Sequence, residues 1–315
     1  MRNAFASELT ALAAEDPRLV LLSGDIGNKL FDPFRAAHPE RFLNCGVAEA
    51  NMVGVAAGLA LSGFRPITYT IASFATLRCF EQIRVDVCYH QLPVIIVGVG
   101  AGLSYAANGA THHACEDLAC LRALPYMTVV APGDAWEVRA ALREAIALGG
   151  PVYLRLGKKG EATVHREVPP LVIGRGLTIR TGEDVCLLST GTMLPAVLAA
   201  ADRLAPLGVS ASVVSHHTIK PLDEALLADA FDRYALVVTV EEHSLIGGLG
   251  SAVAEWLADR PAPRARLLRL GTADTFLHHA GGQDYARGCF GLTEDQIAAR
   301  VLDARQVGAK DRVLH

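Results

Sequence analysis

Residues 43–63 read LNCGVAEANMVGVAAGLALSG, a stretch of small and apolar residues that contains a single charge. From Val53 onward the pattern predicts a buried helix that packs tightly, because alanine and glycine let neighbouring backbones approach closely. The one charge is Glu49, and no other charged residue lies between Arg41 and Arg65. Burying an unpaired carboxylate is costly, so Glu49 is the first candidate for a functional residue.

Uninterrupted apolar runs alternate with helical segments on both sides of this stretch. One long helix is predicted over residues 73–90, where apolar residues recur at helical spacing. Strands that are apolar throughout and alternate with helices are typical of a parallel sheet covered on both faces. The predicted strands of the first half are LVLLSG (19–24), FLNCG (42–46), PITYT (66–70), PVIIVGVG (93–100), MTVVAP (127–132) and PVYLRL (151–156).

A break in this alternation divides the chain. Residues 157–182 combine charges, two prolines and several glycines, a composition that favours a connecting segment. A second alternation of strands and helices follows it. We therefore predict two doubly wound α/β domains, at residues 1–165 and 183–315, joined by a linker at residues 166–182.

The composition narrows the classes of function. With 315 residues, 51% hydrophobic and 20% charged, the chain has ample material for packed cores and is not expected to be disordered. A net charge of −4 with scattered basic residues argues against a surface for nucleic acid or anionic membranes. The seven cysteines form no CxxC pair, which favours reduced thiols in a cytoplasmic protein. The apolar runs are too short to predict a membrane span.

Five stretches, taken in order, resemble the C-terminal half of transketolases. They are GVAEANMVGVAAGLALSG (46–63), SFATLRCFEQIRVDV (73–87), GATHHACEDLACLRALPYMTVVAPGD (109–134), PVYLRLGKKG (151–160) and VVTVEEHSLIGGLGSAVAEWLA (237–258). The chain looks most similar to the separately encoded C-terminal subunit of two-chain transketolases. The resemblance implies a pyrimidine-binding domain with a parallel sheet, then a transketolase C-terminal domain, and thiamine diphosphate as the coenzyme.

One motif that this resemblance leads us to expect is missing. Enzymes that use this coenzyme hold its diphosphate and Mg²⁺ with a GDG motif and a later asparagine. No GDG occurs here, and SGDIG (23–27) stands in a different context. The resemblance therefore implies a partner N-terminal subunit that carries the GDG motif and the metal ligands, in an α2β2 heterotetramer. No metal ligand is expected in this chain.

The resemblance also implies a role for Glu49. In the family a carboxyl group hydrogen-bonds N1′ of the aminopyrimidine and favours the imino tautomer, which makes the exocyclic nitrogen basic. Such a group must lie within about 2.6–3.2 Å of the ring nitrogen. Glu49 in GVAEAN matches it and is assigned as catalytic and coenzyme-binding. The alternative is a first-turn residue that completes a helix cap.

Other candidates come from two neighbouring segments. Phe74 matches an aromatic residue that stacks on the pyrimidine, with Phe80 as second choice; either could instead be a core phenylalanine. His112 matches a catalytic histidine of the substrate channel, which can shuttle a proton or donate to a sugar hydroxyl. The alternative is a loop histidine at a helix start. Asn108 stands where the family has a substrate-binding aspartate.

The end group of the substrate is less well defined. Arg2 matches an arginine that binds phosphate, and Lys158 replaces a second arginine without its bidentate fork. Gly100 stands where a histidine is expected, and the expected serine falls near Asn28 or Lys29. Both sugar phosphates and sugars without phosphate therefore stay open as substrates.

The implied reaction transfers a two-carbon ketol unit from a ketose to an aldehyde, with ping-pong kinetics. Two alternatives stay open. The β-subunits of 2-oxoacid dehydrogenases and deoxyxylulose-phosphate synthase share this domain order. A non-catalytic regulatory paralogue would keep the fold and lose part of the site.

Overall fold

The strands of the chain form two sheets, one for each half of the sequence. The structure is a computed structural model that describes residues 1–27, 29–260 and 264–313, with residues 307–313 described by their backbone alone. The strands are β1 (Leu19–Ser23), β2 (Phe42–Asn44), β3 (Arg65–Ile71), β4 (Ile95–Val99), β5 (Thr128–Val130), β6 (Val152–Leu156), β7 (Leu177–Arg180), β8 (Val185–Ser189), β9 (Ala211–Ser215), β10 (Thr218–Lys220), β11 (Leu236–Ser244) and β12 (Arg266–Thr272).

Helices cover both sheets. They are α1 (Arg2–Glu15), α2 (Asp32–Ala37), α3 (Glu49–Leu61), α4 (Ala72–Leu77), α5 (Phe80–Gln82), α6 (Asp117–Arg122), α7 (Ala135–Leu148), α8 (Leu194–Leu204), α9 (Glu224–Arg233), α10 (Leu249–Ala258), α11 (Gln283–Cys289) and α12 (Glu294–Val313). Within the described ranges, no helix is both long enough and apolar enough to cross a membrane.

The first sheet has the order β10-β5-β6-β4-β3-β1-β2, and every pair except β10–β5 is parallel. Successive side chains of a strand enter different cores. Leu21 packs in the cluster that contains residues of α1 and α7, whereas Leu22 packs in the cluster that contains residues of α3. This two-sided burial is the reason why the strands are apolar throughout, and it confirms the predicted α/β class.

The second sheet has the order β12-β11-β8-β9-β7, with all pairs parallel except β7–β9. Its edge strand β7 lies inside residues 166–182, which the sequence analysis predicts as a linker. That stretch therefore contributes to the second sheet as well as connecting the domains. The domain bounds themselves stay a prediction.

Strand β10 was not predicted, and it joins the two halves. It comes from the second half of the sequence, yet it pairs with β5 of the first sheet, with Thr218 opposite Val130. The backbone N–H of Ala131 also donates to the carbonyl of His217 at 2.6 Å. Thr218–Lys220 contains one apolar residue, Ile219, and lies in no apolar run, so sequence patterning misses it.

The long helix predicted over residues 73–90 is wrong as a single element. It is interrupted after α4 at Cys79, whose backbone leaves the helical region at φ −126° and ψ 24°, and it ends in a π-helical segment, Ile83–Tyr89. The Cys79 thiol donates to the carbonyl of Ala75 at 2.9 Å. Phe74, before the break, lines a cleft, and Phe80, after it, packs against the apolar core.

Candidate functional site

Glu49 lies at the first turn of α3, and its side chain is only 4% exposed. Among the described residues, its carboxylate accepts hydrogen bonds from Arg78 alone, with Nη1 at 3.2 Å from Oε1 and 3.3 Å from Oε2. The N-cap residue of α3, Ala48, makes no side-chain capping bond. The carboxylate is therefore not used to cap its helix, which argues against the capping alternative.

Arg78 also contacts Phe74. Its guanidinium carbon lies 3.7 Å from the centre of the Phe74 ring, close enough for a cation–π interaction. Arg78 follows Phe74 by four residues and ends α4 in helical conformation (φ −72°, ψ −24°), so the two side chains lie on one face of the helix. A planar, hydrogen-bonding group thus lies against both a buried carboxylate and an aromatic face.

His112 continues this arrangement away from Glu49. Its ring centre is 5.2 Å from that of Phe74 and 6.3 Å from that of Tyr105, with an edge-on geometry in both pairs. The Thr111 hydroxyl lies 2.9 Å from its Nδ1. The neighbouring His113 is buried, with Nε2 3.4 Å from the Ala106 carbonyl. Of the two adjacent histidines, His112 is the one that lies against Phe74 in the cleft.

The cleft itself has a volume of about 910 Å³ and lies between the two halves of the chain. The first half contributes α4 and the loop around His112, and the second half contributes residues 272–278 and Phe290. The lining residues include Ser73, Phe74, Leu77, Arg78, Leu103, His112, Thr275, Phe276 and His278.

Arg2, Lys158 and Tyr105 lie together at the far end of this arrangement. The Arg2 backbone N–H donates to the carbonyl of Lys158 at 3.4 Å, and Lys158 Nζ is 5.7 Å from the centre of the Tyr105 ring. Burial raises the pKa of Tyr105, and the adjacent Arg2 guanidinium opposes part of that rise. Two predicted substrate-binding residues therefore meet, around a tyrosine that the sequence analysis did not single out.

Tyr105 also accounts for the glycine at position 100. Gly100 follows β4 with φ +85°, and a Cβ built there would overlap the Tyr105 ring. The Tyr105 ring thus fills the space that a side chain at position 100 would need. The sequence spacing of the two residues does not indicate this contact, which only their packing reveals.

The two remaining predicted residues bring no side chain to these contacts. Asn108 ends the 3₁₀ turn Ala106–Asn108 and is exposed, and only its backbone is involved: its N–H donates to the Tyr105 carbonyl at 2.8 Å, and its carbonyl accepts from the Thr111 hydroxyl at 3.4 Å. Phe80 packs against the apolar core beneath α3. The geometry thus favours Phe74 over Phe80 as the ring at the cleft, and the assignment of both residues stays a prediction.

A buried ion pair supports the loop that carries His112. Arg155 donates to Asp117 through Nε at 2.7 Å and Nη2 at 3.0 Å, and Tyr153 donates to the same carboxylate at 2.6 Å. Burial alone would raise the pKa of Asp117, but the Arg155 guanidinium outweighs it and the pKa is lowered. Arg155 also donates to the carbonyls of Ala114 and Glu242, so one side chain ties the loop to both halves of the chain.

Each half of the chain matches the model of a known domain family. Residues 1–160 match the model of the transketolase pyrimidine-binding domain, and residues 174–297 match that of the transketolase C-terminal domain. The first match covers six strands of the first sheet, and the second covers the five strands of the second sheet together with β10.

Individual relatives are similar to this chain over nearly the full length of both sequences. A 6-deoxy-6-sulfo-D-fructose transketolase subunit of Clostridium sp. (strain MSTE9) is 39% identical over 94% of this chain and 92% of its own. A subunit of the apulose-4-phosphate transketolase of Phocaeicola vulgatus is 33% identical over 96% of both chains. A solved split-gene transketolase, described as an inactive β4 tetramer, is 40% identical, with a TM-score of 0.86 over 96% of this chain and 97% of that one. The chain therefore belongs to the transketolase family, in which it comprises the pyrimidine-binding and C-terminal domains.

Proposed function

We propose that the chain is the C-terminal subunit of a two-chain, thiamine-diphosphate-dependent transketolase, which moves a two-carbon ketol unit from a ketose to an aldehyde. The observation that carries this proposal is the group formed by Glu49, Arg78 and Phe74. It combines a buried carboxylate, a planar hydrogen-bonding side chain and an aromatic face at the edge of a large cleft.

The residues present fit the aminopyrimidine ring of the coenzyme. Arg78 already makes the two kinds of contact that the ring requires, a hydrogen bond to Glu49 and a stacking contact with Phe74. A bound ring would take the same two contacts from Glu49 and Phe74. When bound, the coenzyme supplies the carbon nucleophile of the reaction.

Glu49 holds a proton at N1′ of the ring in this proposal. Its near-complete burial removes competing water, which strengthens a hydrogen bond to the ring nitrogen. Phe74 orients the ring by stacking, which contributes about 0.5–1.5 kcal/mol beyond burial for an aromatic pair. Both residues act through position, since the organic chemistry belongs to the coenzyme.

The sugar is proposed to extend from Phe74 past His112 toward Arg2 and Lys158. His112 is placed to donate to, or accept from, a hydroxyl or carbonyl oxygen of the substrate. Asn108 is proposed at the rim of the same channel. Relatives named for a 6-sulfo sugar and for a sugar phosphate support an anionic end group on the substrate.

A partner subunit is proposed to supply the diphosphate and Mg²⁺ sites, in an α2β2 assembly. The missing GDG motif and the subunit names of the relatives support this division. The description of the split-gene β4 tetramer as inactive is also in keeping with it.

The test is ketol transfer by the complex of this chain with an N-terminal subunit. Glu49→Gln keeps the shape of the side chain and removes its charge. We expect kcat/KM to fall by about 10²–10⁴-fold, the usual contribution of a positioned acid–base group. Glu81→Gln, an exposed glutamate of α5, is the matched control and should behave as wild type. Wild-type turnover by Glu49→Gln would reject the mechanism and favour a non-catalytic paralogue.

A further inference from the structure

The Arg78 guanidinium and the aminopyrimidine ring of the coenzyme are alike in shape and in the contacts that they can make. Both are planar N–C–N groups that hydrogen-bond a carboxylate at an edge and stack on an aromatic ring through a face. Arg78 Nη1 lies 3.2 Å from Glu49 Oε1, and the guanidinium carbon lies 3.7 Å from the centre of the Phe74 ring. A side chain of this chain thus makes the contacts that are proposed for the coenzyme ring.

These two contacts are too close for Arg78 and the ring to share them. The guanidinium is within van der Waals distance of the Phe74 ring and within hydrogen-bond distance of both Glu49 oxygens. A pyrimidine that stacks on the same face of Phe74 and reaches the same carboxylate would overlap it. Binding of the ring therefore requires that Arg78 moves away.

Arg78 can move away without any change in the fold. Its side chain is 47% exposed, whereas that of Glu49 is 4% exposed, and exposed side chains change rotamer within picoseconds to nanoseconds. The cleft that Arg78 lines also contains two carboxylates, those of Glu116 and Asp274, which can accept the displaced guanidinium. A side-chain rotation is thus sufficient to uncover Glu49 and Phe74.

We propose that Arg78 is an autoinhibitory residue: its guanidinium competes with the aminopyrimidine ring for Glu49 and Phe74, and the coenzyme binds only by displacing it. This inference rests on the proposed function, because it takes the ring to lie between these two residues. Arg78 gives the buried carboxylate a donor until the ring arrives, since a buried charge without a partner costs free energy. The same contact lowers the fraction of the chain that is ready to bind, and the apparent affinity falls by that fraction.

The sign of the effect distinguishes a competitor from a residue that binds the coenzyme. Removing a side chain that contacts the bound coenzyme weakens coenzyme binding, whereas removing a competitor strengthens it. Damage to the fold also weakens binding, so a gain in affinity cannot come from a misfolded variant.

The first experiment uses the chain without a partner and does not depend on turnover. Titration calorimetry measures binding of the aminopyrimidine half of thiamine, supplied as its hydroxymethyl derivative. We expect the dissociation constant of Arg78→Ala to be about tenfold below that of wild type, as for a closed form about ten times as populated as the open one. Arg84→Ala removes an exposed arginine that pairs with Glu81 and should bind as wild type. Adding Glu49→Ala to Arg78→Ala should abolish the gain.

Three outcomes of this titration would overturn the proposal. They are equal dissociation constants for wild type and Arg78→Ala, a higher dissociation constant for Arg78→Ala, and no binding of the pyrimidine to Arg78→Ala.

The second experiment measures ketol transfer by the reconstituted two-chain enzyme at a series of thiamine diphosphate concentrations. The concentration that gives half-maximal activity should be about tenfold lower for Arg78→Ala than for wild type and Arg84→Ala. An equal or higher requirement in Arg78→Ala, with turnover by wild type, would reject autoinhibition and leave the proposed function intact. If wild type transfers no ketol unit while Arg78→Ala binds the pyrimidine more tightly, the proposed function falls and the competition stands.

Discussion

Arg78 donates to both carboxylate oxygens of Glu49, at 3.2 and 3.3 Å, although Arg78 is about half exposed and Glu49 is almost fully buried. The same guanidinium lies over the Phe74 ring. One surface side chain thus holds in place the two residues that are proposed to hold the pyrimidine. The contact between Arg78 and Glu49 can be tested in this chain without a partner subunit, because both residues belong to it.

Removing Arg78 should destabilise the chain. Arg78→Ala leaves the buried Glu49 carboxylate without its described donor, and we expect the free energy of unfolding to fall by about 1–2 kcal/mol, less than for a fully buried pair because Arg78 reaches solvent. Urea unfolding measures the change. Arg84→Ala breaks an exposed ion pair with Glu81 and should cost less than about 0.5 kcal/mol. Equal effects of the two variants would show that the Glu49 contact contributes nothing to stability.

A side chain at position 100 should be poorly tolerated, for two separable reasons. Gly100→Ala puts an alanine at φ +85°, in the left-handed region, and its Cβ would overlap the Tyr105 ring. Gly149→Ala also puts an alanine at a positive φ, +69°, but the space around its Cβ is open. The backbone term costs about 1–2 kcal/mol and overpacking adds about 1–3 kcal/mol. Calorimetry should therefore show a larger loss of stability for Gly100→Ala. Equal losses would mean that Tyr105 moves aside freely.

Stability should depend on pH through Glu241, which is fully buried in β11 and accepts the backbone N–H groups of Leu249 and Gly250 at 2.7 Å each. Burial raises the pKa of Glu241 to about 7, from an ordinary value of 4.5. The folded state therefore keeps a proton that the unfolded state releases. The stabilisation is complete below about pH 4.5 and is lost as the pH rises to about 7.

Glu241→Gln is neutral at every pH and should remove this dependence. The difference in unfolding free energy between wild type and variant should change by roughly 2–3 kcal/mol between these limits. Urea unfolding at a series of pH values measures it, with Glu183→Gln, an exposed residue, as control. A difference that does not vary with pH would contradict the raised pKa.

Most of the fold could be predicted from apolar periodicity, because both sheets bury their strands on two sides. The helix predicted from Val53 onward lies within α3, and the predicted strand at residues 93–100 contains β4. The interruption at Cys79 was missed, because the helical spacing of apolar residues continues across it. Strand β10 was missed because Ile219 is its one apolar residue, whereas the equally short β2 and β5 lie in longer apolar runs.

The site was only partly accessible to sequence reasoning. Glu49 stood out as a lone charge, and the family resemblance pointed to Phe74, His112, Arg2 and Lys158. Neither Arg78 nor Tyr105 was singled out. Arg78 contacts Glu49 and Tyr105 contacts Lys158, neighbours that are distant in sequence, so no local pattern could reveal either residue.

The pairing of β10 with β5 limits how this protein can be recombined with its relatives. A hybrid joined between the two family-matched segments would take β5 from one parent and β10, residues 218–220, from the other. Strand β5 would then pair with a strand of different sequence, or leave its backbone groups unpaired at the edge of the first sheet. Chimaeras and truncations should therefore treat the N-terminal sheet and this short stretch as one inherited unit, although about ninety residues separate β5 from β10 in the sequence.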